Sequence, residues 1–262
     1  MTHFQLHRGD LPLLISAPHH GTDIPDEIVR RLRPEARCSP DTDHHVACLY
    51  QFARDLGASM LVPRWSRYVV DLNRPPDALP LYPGQLETGL VPTSSFAQQA
   101  LYLEGAEPDA VEVRRRAERW WRPYHHALLS ELLRLRARHR QVLLWDAHSI
   151  VSECPMFFSG RLPDINVGTA DGRSASGRLT AAIMDVLAAQ GSFSHVLNGR
   201  FKGGFITRHY GRPREGLQAV QLELAQCNYM DEAPPFRFQA DRAESLVHTL
   251  RDMLQAALRA LC

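Results

Sequence analysis

Apolar residues fall along this chain in two rhythms, short unbroken runs and longer stretches with helical spacing. The clearest run is residues 141–150, QVLLWDAHSI. Apolar positions that do not alternate suit a strand covered on both faces, as in the mostly parallel sheet of an α/β fold. Residues 11–17 (LPLLISA), 58–62, 67–72 (RYVVDL), 194–197 and 219–224 (AVQLEL) read as further strands. Between them lie helical patterns. Residues 25–32 predict a short helix with Pro25 near its first turn. In VACLYQFARDLG, the spacing of Val46, Leu49, Tyr50, Ala53 and Leu56 predicts one amphipathic helix, capped by Asp43 or a neighbour and ended by Gly57. Residues 109–139 carry the longest helical pattern, with Trp120, Trp121, Tyr124, Leu128, Leu132 and Leu135 on one side. Pro123 should kink or interrupt it, and its arginines read as a solvated face. Residues 177–189 and 241–261 predict two more helices. Residues 162–176 and the basic, glycine-rich 198–212 read as loops. Residues 78–105, rich in Pro, Gly, Thr and Ser, predict a long irregular stretch that is either disordered or a functional lid.

The 262 residues, 44% of them hydrophobic, are enough for one α/β domain spanning 1–262, a mixed, mostly parallel sheet flanked by helices. A formal net charge of +1 gives no reason to expect nucleic acid or a membrane surface as partner. Five scattered cysteines without a CxxC pair read as thiols of a reducing cytosol. The start, MTHFQLHRGD, lacks the apolar core of a signal peptide, and no later segment approaches a membrane span. The expectation is a soluble cytoplasmic protein, its oligomeric state left open.

Chemistry enters where the runs end. His19 follows the first long run and His148 closes the central one, with Asp146 two positions before it. Open α/β sheets bind ligands at the carboxyl ends of their strands. With thirteen histidines in the chain, any single one is more often a surface or hydrogen-bonded residue than a ligand, so this placement is what singles the two out. Two histidines and a carboxylate from the Asp41/Asp43 group have the composition of an open catalytic zinc site. Glu223 interrupts an apolar strand, and a buried carboxylate needs a compensating partner. Arg67, Asn73 and Arg74 form one candidate carboxylate clamp. Lys202, Thr207 and Arg208, beside Gly203 and Gly204, form another.

The segments SAPHHG (16–21), DTDHH (41–45), RYVVDLNRPPD (67–77), WDAHS (145–149), PDINVGTADG (163–172), GRFKGGFITRHYG (199–211) and LQAVQLELAQCNYM (217–230) together resemble the N-formylglutamate amidohydrolases. The likeness runs in order through most of the chain. It implies a metal-dependent hydrolase with a fold similar to zinc-dependent exopeptidases and cell-wall amidases, releasing formate and L-glutamate from N-formyl-L-glutamate at the end of histidine breakdown. The DLNR segment also resembles aspartoacylases, in which Asn and Arg hold the substrate carboxylate. Carried over by motif, the ligands of one Zn²⁺ or other divalent ion are His19, Asp43 and His148, and Glu223 matches the glutamate that activates water. Arg67 is the candidate for stabilising the oxyanion, and Asn73, Arg74, Lys202, Thr207 and Arg208 are those for binding substrate. The chain departs from the family pattern at His20 and His44, and the roles of these two and of His45 stay open. The alternatives are another N-acyl amino-acid or cell-wall amide hydrolase, or a non-catalytic protein that binds an acidic amino acid.

Overall fold

The run ending in His148 is β4 (Val142–Ile150), the middle strand of a seven-stranded sheet and buried along its whole length. The structure, a computed structural model, describes residues 2–77, 79, 81, 84 and 86–262. The other strands are β1 (Phe4–His7), β2 (Leu13–Ser16), β3 (Ser59–Pro63), β5 (Ile165–Gly168), β6 (His195–Leu197) and β7 (Leu217–Ala225), in the spatial order β1-β3-β2-β4-β7-β5-β6. The central strands β3, β2, β4 and β7 run parallel to one another. Edge strand β1 is antiparallel to β3, while β5 is antiparallel to β7 and parallel to β6. This is the mixed, mostly parallel sheet that the apolar runs predicted.

Alternate residues of β4 face two different cores. Leu143, Trp145 and Ala147 pack with α2 (Val46–Leu49), α3 (Gln51–Asp55), α6 (Gly177–Gln190) and α8 (Ala240–Leu261). Val142 and Leu144 pack on the opposite face, against Tyr124, Leu128, Leu132 and Leu135 of α5 (Arg122–Arg136). Since side chains alternate along a strand, Asp146 and His148 share that second face. So does Glu223, two steps on from Gln221 and four from the buried Ala219 of β7. Three polar residues thus lie on the face that the remaining helices, α1 (Asp26–Val29), α4 (Ala110–Arg116) and α7 (Phe205–Tyr210), help to border. Among the described residues, no helix is long and apolar enough to cross a membrane.

The structure departs from the sequence reading at several elements. Residues 67–72 form buried turns in place of a strand. Their polar backbone is satisfied one group at a time, as where Val69 N–H donates to Ser66 O and Asp71 N–H to Leu90 O. The single helix expected from Val46 is two, joined at Tyr50, and its N-cap is His45 in a left-handed conformation (φ 62°) with no side-chain cap. Asp43 is directed instead toward His148 and the Ser149 N–H. Two segments read as loops contain the strand β5 and the helix α7. At Pro123, a π turn (Ala117–Trp121) links α4 to α5: the wider turn accommodates a ring that has no N–H to donate. Arg116 is not on a solvated face. It is fully buried and donates to Glu112, Tyr102 Oη and the carbonyls of Tyr68 and Val69, bracing the turns from behind. Part of the irregular stretch 78–105 lies outside the described residues; its Leu86 and Glu87 line a cavity together with His19 and His148.

Candidate active site

Because β2, β4 and β7 are parallel, their carboxyl ends open on one edge, and the residues that follow or close them converge there. His19, Asp43 and His148 come together with one ligand atom from each lying within 4.8 Å of the others, all three residues being buried. His19 and His148 are 4.8 Å apart between ring centres. His148 Nδ1 lies 3.2 Å from Asp43 Oδ2, and His19 Nδ1 lies 3.8 Å from the same oxygen. Asp43 is held in place by Ser149 N–H, which donates to Oδ2 at 3.1 Å. Of the two carboxylates the sequence left open, Asp41 is turned away: its Oδ2 accepts from Tyr68 Oη at 2.7 Å and from Phe96 N–H at 2.9 Å.

The outer nitrogens of both rings have carboxylate neighbours. His19 Nε2 donates to Asp71 Oδ1 at 2.7 Å, which leaves the lone pair of the neutral ring on Nδ1. His148 Nε2 lies 3.1 Å from Asp146 Oδ1. Imidazoles that bind metals are commonly fixed in this way, through the ring nitrogen that does not bind. Burial and these neighbours set the electrostatics of the triad. Burial, seconded by Arg67, lowers the pKa of His19. Burial also works against a charge on His148, but Asp146 and Asp43 outweigh it and hold that ring protonated well above its ordinary range. Asp43, although buried, is kept below the usual carboxylate range by His148, His19 and Arg67. His19 Nδ1 and Asp43 Oδ1 are buried with no hydrogen-bond partner among the described residues. Two imidazoles and a carboxylate, with such orphaned atoms turned inward, are a donor set that fits a divalent ion of the zinc type.

Beside this triad is a cavity lined by His19, His148, Glu223, Arg67, Arg74 and Arg200, with Phe96, Phe157 and Phe201 among its apolar walls. Glu223 is 7% exposed. Its pKa is pushed up to about 8, first by burial and then by the carboxylates of Asp43 and Asp146, against the opposing charges of His148 and Arg67. Gln221 Nε2 donates to Glu223 Oε2 at 3.1 Å, and Gln221 Oε1 in turn accepts from Gly204 N–H at 2.6 Å. Arg67 donates to Asp71 Oδ2 at 2.7 Å, lies 3.8 Å from Asp43 Oδ1, and has its guanidinium 4.8 Å from the centre of the Phe96 ring.

The candidate substrate binders divide. Arg74 lines the cavity, its guanidinium held by Thr88 O and Oγ1 and by Asn73 O. Asn73 also lines it, but its amide serves the protein. Oδ1 accepts from Ile206 N–H at 2.7 Å, in effect capping α7 from a distant segment, and Nδ2 lies 2.9 Å from His148 Nε2 and 3.4 Å from Asp146 Oδ2. Gly204 permits this approach, since a Cβ there would stand 2.4 Å from Asn73 Nδ2. Thr207 Oγ1 donates to Asp146 at 3.1 Å. Lys202 pairs with Asp171 at 3.1 Å and Arg208 Nε donates to Gly203 O at 2.7 Å; neither is among the residues lining the cavity. His20, His44 and His45 line a separate surface cavity, where His45 Nε2 donates to Phe236 O. Sequence reasoning missed Asp71 and Arg200. Asp71 could have been found as the acid inside the DLNR segment, and Arg200 as the first cation of GRFKGG.

Fold and site together define an α/β protein with a metal-type triad and a carboxylate gathered at the carboxyl edge of a parallel sheet. The chain belongs to the N-formylglutamate amidohydrolase family, whose sequence model matches residues 11–230. It is 52% identical over 251 residues to an N-formylglutamate deformylase of Pseudomonas aeruginosa, a match covering 96% of this chain and 94% of the relative. It is 51% identical over 252 residues to the N-formylglutamate deformylase of Pseudomonas putida, with the same coverage. The crystal structure of an N-formylglutamate amidohydrolase from Ralstonia eutropha JMP134 superposes with a TM-score of 0.80 at 25% identity, covering 100% of this chain and 97% of that one. A gene product of Agrobacterium tumefaciens shares the fold, with a TM-score of 0.74 at 20% identity over 99% of this chain and 96% of its own.

Proposed function

We propose that this chain, acting as one domain over residues 1–262, hydrolyses N-formyl-L-glutamate to formate and L-glutamate, as the last step of histidine degradation in the cytoplasm. The observation that carries the reading is the convergence of the triad, Glu223 and arginines on one cavity, in a chain about half identical to two deformylases. His19 Nδ1, Asp43 and His148 Nδ1 would hold one divalent ion, Zn²⁺ for preference, with Asp71 and Asp146 orienting the rings. Bound there, the ion supplies Lewis-acid polarisation of the amide carbonyl and brings the pKa of water down to about 7.

The chain's own residues do the rest. Glu223 takes a proton from water as the water oxygen attacks the formyl carbon, and then delivers a proton to the amide nitrogen as the carbon–nitrogen bond breaks. Burial raises the pKa of Glu223 above the usual carboxylate range, while a cation held by the triad would favour the ionised form, the one that accepts the proton. Arg67, fixed by Asp71, faces the negative charge that develops on the formyl oxygen. Arg74 holds a carboxylate of the substrate, beside the Asn73 amide that is locked against His148.

The test is formate release by metal-reconstituted protein from N-formyl-L-glutamate, run beside N-acetyl-L-glutamate and N-formyl-L-aspartate. Turnover of the first well above the other two is expected. No formate from any of them would end the reading.

A further inference from the structure

Glutamate carries two carboxylates. On the function proposed above, Arg74 accounts for one, and the pair expected for the other, Lys202 with Arg208, does not line the cavity. Besides Arg67, already placed at the oxyanion, the further cation lining it among the described residues is Arg200. Its Nε donates to Phe157 O at 2.7 Å, and its guanidinium carbon lies 5.4 Å and 5.5 Å from the ring centres of Phe157 and Phe201. Phe157 also packs edge-on against Phe96, at 5.0 Å, and against Phe201, at 6.5 Å. Arg200 is therefore a half-buried guanidinium set into an aromatic wall, an arrangement that fixes its plane and limits competition from water.

We infer that Arg200 reads the side-chain carboxylate of the substrate, while Arg74 reads the α-carboxylate. The assignment of the two ends follows from where each arginine is anchored. Arg74 follows Asn73, whose amide lies 2.9 Å from His148, so it belongs to the segment that abuts the triad. The α-carboxylate is likewise the one nearest the scissile amide, separated from its nitrogen by a single carbon. The γ-carboxylate is two methylenes further out. Methylenes are apolar, and Phe96, Phe157 and Phe201 give them an apolar path that ends at a cation.

The inference rests on the proposed function, and the experiment separates the two. Arg200→Gln and Arg200→Lys are compared with the parent on N-formyl-L-glutamate and on N-formyl-L-glutamine, which has the same shape without the distal charge. Zinc content and Tm are recorded for each protein. Arg200→Gln should lose at least about thirtyfold in kcat/KM on N-formyl-L-glutamate and stay within about threefold on N-formyl-L-glutamine, with Arg200→Lys in between. Equal losses on both substrates, or no loss on either, overturn the assignment. If the parent turns over neither substrate, the catalytic reading falls. Calorimetry then decides Arg200 on its own: a preference for L-glutamate over L-glutamine that disappears in Arg200→Gln supports it, and a preference that is absent or unchanged refutes it.

Discussion

His148 and Glu223 are directly opposite partners in the parallel register of β4 and β7, so the proposed ligand and the proposed base project side by side from adjacent strands. Backbone pairing alone sets their relation, and neither residue depends on a loop for its position. Sites built on strands are held more tightly than sites on loops.

This permits a clean separation at Glu223. Glutamine keeps the shape and the hydrogen bond from Gln221 but cannot accept a proton. Glu223→Gln should retain zinc and still bind L-glutamate while kcat falls by roughly 10² to 10⁴. A variant that turns over within a few-fold of the parent removes Glu223 from the mechanism, and one that loses zinc together with activity makes it a ligand.

For the triad, substitution of His19, Asp43 or His148 by Ala should lower bound zinc well below one per chain with the fold largely kept. His44→Ala should leave zinc unchanged, since that ring lines a different cavity. Metal analysis of the dialysed proteins checks this, and full zinc in His148→Ala would refute the ligand set.

Asp71 makes no contact with the proposed ion, yet it takes the Nε2–H of His19 and the guanidinium of Arg67. Loss of such an outer partner typically costs about 10 to 100-fold in metal affinity. Asp71→Ala should weaken zinc by that factor in a chelator competition, and excess zinc should restore occupancy but only part of kcat, because Arg67 is released as well. Unaltered affinity would mean that the His19 ring is fixed by packing alone.

Arg116 distinguishes a buried charge from its exposed neighbours on the same helix. Removing one partner of a buried ionic network strands the others, at a cost of about 3 to 5 kcal/mol. Arg116→Ala leaves Tyr102 Oη and the carbonyls of Tyr68 and Val69 without that donor and strips Glu112 of one of its two arginine hydrogen-bond partners, the other being Arg31, so chemical denaturation should register a loss in that range. Arg115→Ala, with a side chain 53% exposed, should stay within about 0.5 kcal/mol.

His125 sets a pH dependence. It is buried, its Nε2–H donates to Leu72 O at 2.8 Å, and Tyr210 Oη donates to Nδ1 at 3.0 Å. Burial, the dominant cause, pushes its pKa down to about 3 from 6.5. The unfolded chain therefore takes up the proton first, and stability falls as the pH drops below about 6.5 toward 3. The slope from this one group approaches about 1.4 kcal/mol per pH unit. Unfolding free energies measured at pH 7.5 and pH 5 should differ less in His125→Gln than in the parent; an identical difference would assign the acid sensitivity to other groups.

How much of this was legible depended on what kept each segment in place. β2, β4 and β7 announce themselves because a strand buried on both faces is mostly apolar; the ends of the first two pointed to His19 and His148, and Glu223 stood out as a carboxylate inside the third. Residues 67–72 have the same β-rich look, with Tyr68, Val69 and Val70 buried, but their place is set by side chains: Asp71 holds Arg67 and His19, and no strand ladder forms. Local composition carries no trace of such long-range bonds. β1 escaped notice because FQLH lies on an edge and is only partly buried, and β5 because its four residues sit among turn formers. Arg116 looks in sequence like any arginine of its helix, since only the tertiary structure decides which turn of the helix faces the carbonyls of Tyr68 and Val69.

The turns from Arg67 to Arg74 reach His19 through Asp71, His148 through Asn73, and the cavity through Arg67 and Arg74. On the proposed function, cation affinity and ligand selectivity would share this one short piece of chain, and neither trait could be altered there without touching the other. Directed evolution toward a different acyl amino acid would gain most from the opposite wall, around Phe157, Arg200 and Phe201, which among the described contacts has no bond to the triad. Variation in the turns would instead return proteins that fail at holding zinc and at choosing a substrate together.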